Sequence, residues 1–289
     1  VTGTITWRAP TEGVHRIVAE VRDSDTPQNT RTVSWWLRVT THGFKFLDPS
    51  AQEGGDGSRE HPWNSISDWY DPASIANCDP PVTGCQTGKT DARYLNYFLY
   101  WRAGVYTLPT ASLERRDLAA GNPGRLSVVS TTKPVVWLAY PDERPVLDHG
   151  YVDGSGNTDA ARGSFVYFER SENVYVDGLE FRNMKCKGIE VAATGHNQVF
   201  RKLEMHFMGH AEDGLNCAFI MTGRSDVQGT DHMVIQDSSF HGLYAATGGA
   251  MIKIYSKNKL LIENNTVHTV TGPGRGNVEG IALKGGPMT

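Results

Sequence analysis

Four passes of one short pattern occupy the stretch from Ser164 to Thr289. Val174-Tyr-Val-Asp-Gly-Leu-Glu-Phe181 recurs as Val199-Phe-Arg-Lys-Leu-Glu-Met205, as Val234-Ile-Gln-Asp-Ser-Ser-Phe240 and as Leu261-Ile-Glu-Asn-Asn-Thr-Val267. The last apolar position falls at Phe181, Met205, Phe240 and Val267, in steps of 24, 35 and 27 residues. Each pass is followed by a second short apolar run: Gly188 to Val191, Ala218 to Met221, Ala250 to Ile254, and Gly280 to Lys284. Self-similarity at such a period marks a stacked solenoid, whose single unit cannot bury its apolar face alone. Two strand-like runs per unit, with no helix-period stretch between them, point to a parallel β-coil.

Inside such a coil, Val, Ile, Leu, Phe or Met point inward and stack rung upon rung, and polar outward positions alternate with them. Val176, Phe200, Ile235 and Ile262 form an inward column by this reading; Asp177, Arg201, Gln236 and Glu263 form an outward one. An antiparallel β-sandwich with chance similarity between strands is the alternative.

The 289 residues suffice for a large core, and by length alone for about two domains. A net charge of -4 offers no basic field for nucleic acid. Thirty-one glycines suit a turn-rich β protein. No apolar run is long enough to span a membrane, and no signal peptide is visible. The chain opens at Val1 in what reads as a strand and stops at Thr289 just after another, which suggests part of a longer protein. Cys78 and Cys85 bound a turn-rich loop whose ends can close into a local disulfide. Cys186 and Cys217 sit in successive repeats at different offsets and read as buried thiols. One local disulfide is mild support for a secreted or cell-surface protein.

Residues 1–40 read as three strands: Thr2 to Trp7, Val14 to Arg22, and Thr30 to Val39, the last with Val33, Trp35, Leu37 and Val39 alternating. The run Trp7-Arg-Ala-Pro10, Gly13-Val-His15 and Val21-Arg-Asp23 resembles the closing strands of bacterial immunoglobulin-like modules. Three strands alone make a poor core, so either more of a sandwich lies upstream or they pack on the next domain of the chain.

Further on, Phe44-Lys-Phe-Leu-Asp-Pro-Ser-Ala51, Gly54-Gly-Asp-Gly-Ser58 and His61-Pro-Trp63 resemble the opening of secreted right-handed β-helix proteins of the pectate-lyase-like superfamily. There a short helix caps the coil, a place taken here by Ser65 to Tyr70. Trp101-Arg-Ala-Gly-Val-Tyr106 resembles the first rung of that superfamily, and Tyr140-Pro-Asp-Glu-Arg-Pro-Val146 the second. The fold expected is therefore all-β. A partial immunoglobulin-like module over 1–42 precedes a right-handed parallel β-helix over 43–289, with a capping segment to about residue 90 and coils beyond. Loops such as 211–216, 222–231 and 271–278 interrupt rungs without breaking them, and in solenoids such insertions wall a groove.

Aligned glycine to glycine, Gly249-Ala-Met-Ile-Lys253 and Gly280-Ile-Ala-Leu-Lys284 put Lys253 and Lys284 in one column. Adjacent strands lie about 4.8 Å apart, so the two ammonium groups would depress each other's pKa and attract carboxylates of an acidic polysaccharide. Glu279-Gly-Ile-Ala-Leu-Lys284 also resembles the "D-G-F-A-x-K" segment of family-9-type pectate lyases. That resemblance implies β-elimination of a uronate polymer. Lys284 would be the base, Lys253 a carboxylate anchor, and a calcium ion would be held by Glu279, Glu212 and Asp213. Arg275 and His241 stand beside them as substrate contacts. The family's aspartate cluster is not evident, and both lysines as solvated strand residues remain the alternative.

Other signals are weaker. His206 and His210 have helix spacing, which means nothing on a strand. Glu212-Asp213 resembles the paired carboxylates of glycoside hydrolysis, but the polygalacturonase-like aspartate pattern is absent. Trp63, Trp69, Trp101 and Trp137 are either sugar platforms or filling for the capped end. Against the lyase stands a non-catalytic surface, adhesin or filament protein, assembling through β-helix ends or the immunoglobulin-like module.

Overall fold

The computed structural model describes residues 13–22, 29–40, 43–69, 98–107, 126–129, 134–150, 164–169, 171–184, 186–192, 195–210, 217–222, 230–245, 249–255, 257–271 and 279–284. An antiparallel hairpin, β1 (Gly13–Arg22) and β2 (Thr30–Val39), precedes three parallel sheets wound by the rest of the chain. The first sheet stacks β3 (Phe44–Leu47), β4 (Phe98–Trp101), β7 (Val135–Ala139), β10 (Glu172–Asp177), β13 (Gly195–Arg201), β16 (Thr230–Gln236) and β19 (Lys257–Glu263). The second stacks β5 (Gly104–Thr107), β8 (Pro145–Asp148), β11 (Glu180–Met184), β14 (Glu204–His210), β17 (Ser239–Ala245) and β20 (Thr266–Thr271). The third stacks β6 (Leu126–Val129), β9 (Ser164–Glu169), β12 (Lys187–Ala192), β15 (Ala218–Thr222), β18 (Ala250–Tyr255) and β21 (Glu279–Lys284). From β4 onward each coil gives one strand to each sheet in turn. This is a parallel β-helix, with the right hand that parallel crossovers take.

The expected columns form. Val176 pairs with Phe200, Phe200 with Ile235 and Ile235 with Ile262, and the first three are fully buried. Phe181, Met205, Phe240 and Val267 stack likewise in the second sheet. Trp137 packs between Trp101 at 5.8 Å and Phe168 at 5.5 Å, and Trp63 closes the stack at the capped end. Trp63, Trp101 and Trp137 are therefore core, not sugar platforms. The capping helix is a single turn, α1 (Ile66–Trp69). Asp68 Oδ2 accepts from the Asn64 and Ser65 amides while Ser65 Oγ accepts from the Asp68 amide, so the turn caps itself.

Asp177 and Arg201 point outward as expected but are buried, because the hairpin lies across the first sheet. Trp36 meets the Tyr175 ring at 5.4 Å, Arg201 stacks over Trp36 at 5.1 Å, and Arg38 lies 3.8 Å from Asp177. The hairpin thus packs on the coil; the first expected strand, Thr2 to Trp7, lies outside the described residues. Burial pushes the Tyr175 hydroxyl well above its ordinary pKa.

The two coil-opening motifs owe their residues to one interaction. Arg102 forks onto Glu143 at 2.7 and 2.9 Å across neighbouring rungs, and Glu143 also accepts the Ala103 amide at 2.6 Å. Tyr106 donates to the Leu47 and Arg102 carbonyls, so its phenol is buried yet satisfied. The Arg102 hydrogen bond holds the Glu143 carboxyl below its ordinary value of 4.5. Burial pushes the Asp148 carboxyl up, but hydrogen bonds from Asn183, Arg182 and the Gly150 amide outweigh it and leave the group below 3.8. Both pKa values are depressed on folding, so the stability they supply is complete above pH 4.5 and drains away as pH falls through the folded values. Glu143→Ala is expected to cost about 2 kcal/mol at neutral pH, with the deficit against wild type shrinking toward pH 3 (~3, below the ordinary carboxylate range). Thermal unfolding of both proteins across that range checks it.

Candidate functional site

The outer face of the third sheet carries an ionic group sheltered from water. In the register of that sheet Ser127, Tyr167, Glu190, Met221, Lys253 and Ala282 follow one another. Their neighbours in sequence, Ile189, Ile220, Ile252, Val191 and Ile254, enter the core, so alternation turns this column outward. Yet Lys253 is only 3% exposed. Two rungs away, Glu190 accepts from Lys187 Nζ at 2.6 Å and from the Ser164 hydroxyl, with Lys187 and Glu190 both largely buried. Lysine is almost never this deeply buried unless paired, and buried ionic groups gather at functional sites.

A disulfide between Cys186 and Cys217, with Cα atoms 4.4 Å apart, staples the residues that lead into β12 and β15. The expectation of buried thiols is corrected: rung stacking brings the two residues face to face although their repeat offsets differ. Cys78 and Cys85 lie outside the described residues.

The lysine column is also corrected. Lys253 sits opposite Ala282, and Lys284 sits opposite Tyr255. Matching glycine to glycine shifts the register by two residues, whereas the rungs stack isoleucine on isoleucine, Ile252 on Ile281. A slip of two keeps the outward face but separates the ammonium-bearing positions. Glu279 is half-buried at the start of β21, opposite Ala250. His241 lies on the second sheet, between His206 and His268. Glu212, Asp213 and Arg275 lie outside the described residues. Among the described residues no group of three or more His, Cys, Asp or Glu side chains can hold a metal ion. Glu279 by itself does not make a calcium site, and no chemical step is derived through one.

Lys187, Glu190, Ser164 and Tyr167 escaped the sequence reading. Their signal was Glu190 itself, the one acidic residue inside the apolar run Gly188 to Val191. His206 Nε2 meets Glu180 Oε1 at 2.9 Å, and His210 lies opposite Ala245 in the strand register.

No protein-family model and no curated protein matches this sequence. Two solved structures are similar in fold. One is titled a crystal structure of pectate lyase Pel9A, with 15% identity, a TM-score of 0.46, and coverage of 78% of this chain and 46% of that one. The other is titled rhamnogalacturonan lyase, with 13% identity, a TM-score of 0.45, and coverage of 86% and 63%. The chain thus spans less than two thirds of either.

The Lys187–Glu190 pair gives a direct test of this face. Lys187→Met strands the buried carboxylate and is expected to cost about 3 kcal/mol, most of which returns in Lys187→Met/Glu190→Met. Urea unfolding of the three variants measures both terms, and additive losses would mean the pair is not coupled.

Proposed function

We propose that the chain is a carbohydrate-active β-helix protein that cleaves a uronate-containing polysaccharide by β-elimination. The observation that carries this reading is Lys253, a lysine on an outward column yet sheltered from water, two rungs from the Glu190–Lys187 pair. A lysine amine positioned beside an acidic C–H is a competent general base for it. In this role Lys253 takes the proton on the carbon beside the uronate carboxylate. The electron pair of that C–H bond becomes the new C=C bond, and the glycosidic oxygen leaves with its sugar and is protonated by water. This assignment moves the base from Lys284 to Lys253 and leaves Lys284, Arg275 and Glu279 as proposed substrate or cation contacts. The ammonium of Lys187 fixes the Glu190 carboxylate, so the face holds its shape before substrate arrives. Calcium remains a proposed cofactor. The Cys186–Cys217 disulfide supports an oxidising compartment, and with it export or a cell-surface location.

A second reading, a non-catalytic surface, adhesin or filament protein, is favoured by one observation. Val21, Val33 and Trp35 stand exposed together on the hairpin face turned away from the coil. Ultraviolet absorbance of the unsaturated product, with pectate, alginate and glycosaminoglycan and with or without added calcium, separates the two. The lyase reading expects a rise with one polymer and its loss, by at least about a hundredfold, in Lys253→Ala. Full activity in that variant sinks the assignment, and a flat trace with concentration-dependent assembly favours the second reading.

A further inference from the structure

The second sheet carries on its outer face a feature that elimination on the third does not use. One column runs Asp148, Arg182, His206, His241, His268. The three imidazoles lie parallel, 5.0 and 4.9 Å apart and within 9° of coplanar orientation. Directly after this column every rung from β11 to β20 places one residue in the left-handed region: Asn183, Phe207, Gly242 and Thr269. The strand pairing skips that residue each time, as in a bulge.

Two of the four suit the position. Gly242 has no Cβ to clash, and Asn183 tolerates the conformation and donates to Asp148. Thr269, β-branched, is strained there, with Oγ1 2.9 Å from His268 Nδ1. Phe207 is the bulkiest of the four. A bulky residue at a φ of 55° is a steric outlier, and its ring stays 59% exposed, so burial does not offset the strain. The ring is nevertheless held. It lies over Gly242, where a Cβ would come within 3.2 Å of Phe207 Cδ1, and it meets His206 edge-on at 4.6 Å and His241 at 6.2 Å. The two imidazoles that it meets are held by carboxylates in turn: Glu180 Oε1 lies 2.9 Å from His206 Nε2, and Glu204 Oε1 lies 3.5 Å from His241 Nε2.

We propose that this face is a glycan-binding subsite in which Phe207 stacks on one pyranose ring. A large aromatic held exposed in a strained conformation that packing does not require is a pointer to function. A fixed aromatic face accepts the C–H face of a sugar, and the imidazoles beside it, with the carboxylates bonded to them, match hydroxyls in the ring plane. A protein hot spot would instead sit in a fully desolvated pocket, and the Phe207 ring is 59% exposed. The subsite lies on a different sheet from Lys253 and does not depend on the elimination reading.

Affinity electrophoresis of the whole chain through gels holding polygalacturonate, alginate or laminarin tests it. At least one polymer is expected to retard the wild type. Phe207→Ala and Phe207→Gly should weaken that retardation at least tenfold, and Phe207→Trp should keep it. Thermal midpoints guard against misfolding: Phe207→Gly relieves the left-handed strain and should melt at or above wild type while binding less, which a merely structural phenylalanine would not do. Unretarded wild type with all three polymers, or Phe207→Ala retarded as strongly as wild type, overturns the proposal. Retardation lost with Phe207 in a chain that yields no unsaturated product sinks elimination alone; product formation with Phe207-independent retardation sinks the subsite alone.

Discussion

The hydrogen bonding of parallel strands at a fixed spacing is the constraint on which the whole structure depends. It lays each residue on its counterpart one rung away, so every position along a strand becomes a column. An apolar column zips into continuous core, as from Val176 through Phe200 and Ile235 to Ile262. A polar column becomes a ladder, as in the three stacked histidines of the second sheet. A single sequence change is therefore read against its neighbours above and below. That is why a lone lysine in a column of Tyr, Glu, Met and Ala, or a lone phenylalanine in a column of Asn, Gly and Thr, carries information.

The coil itself was legible. The steps Phe181, Met205, Phe240 and Val267 gave the correct register in the second sheet, and the apolar alternation gave the inward face of the first. The register of the third sheet was misread by two residues, because Gly249 and Gly280 look alike in sequence while the strands pair Ile252 with Ile281. Sequence showed that Asp177 and Arg201 point out, but not that Trp36, far earlier in the chain, covers them. Contacts between distant segments leave no periodic trace.

The chemistry was legible only in part. Lysines near the coil's far end drew attention, yet the ionic pair two rungs from Lys253, Lys187 and Glu190, depends on a three-residue reach that alternation does not reveal. The disulfide had the same origin: Cys186 and Cys217 differ in offset within their repeats but meet once the rungs stack. Phe207 was hidden because its left-handed backbone shows only when its equivalents Asn183 and Gly242, both tolerant of that conformation, are placed in its column.

Placement of Lys253 on the sheltered outer column of the third sheet rests on the register of β18 against β21, which cysteine cross-linking measures directly. Positions paired across adjacent parallel strands lie within disulfide reach, whereas a two-residue offset puts Cα atoms beyond about 7 Å. Lys253→Cys/Ala282→Cys should close a bond on mild oxidation, seen by peptide mapping, while Lys253→Cys/Lys284→Cys should stay reduced. The opposite pattern would restore the lysine column and contradict the stacking on which the site is built.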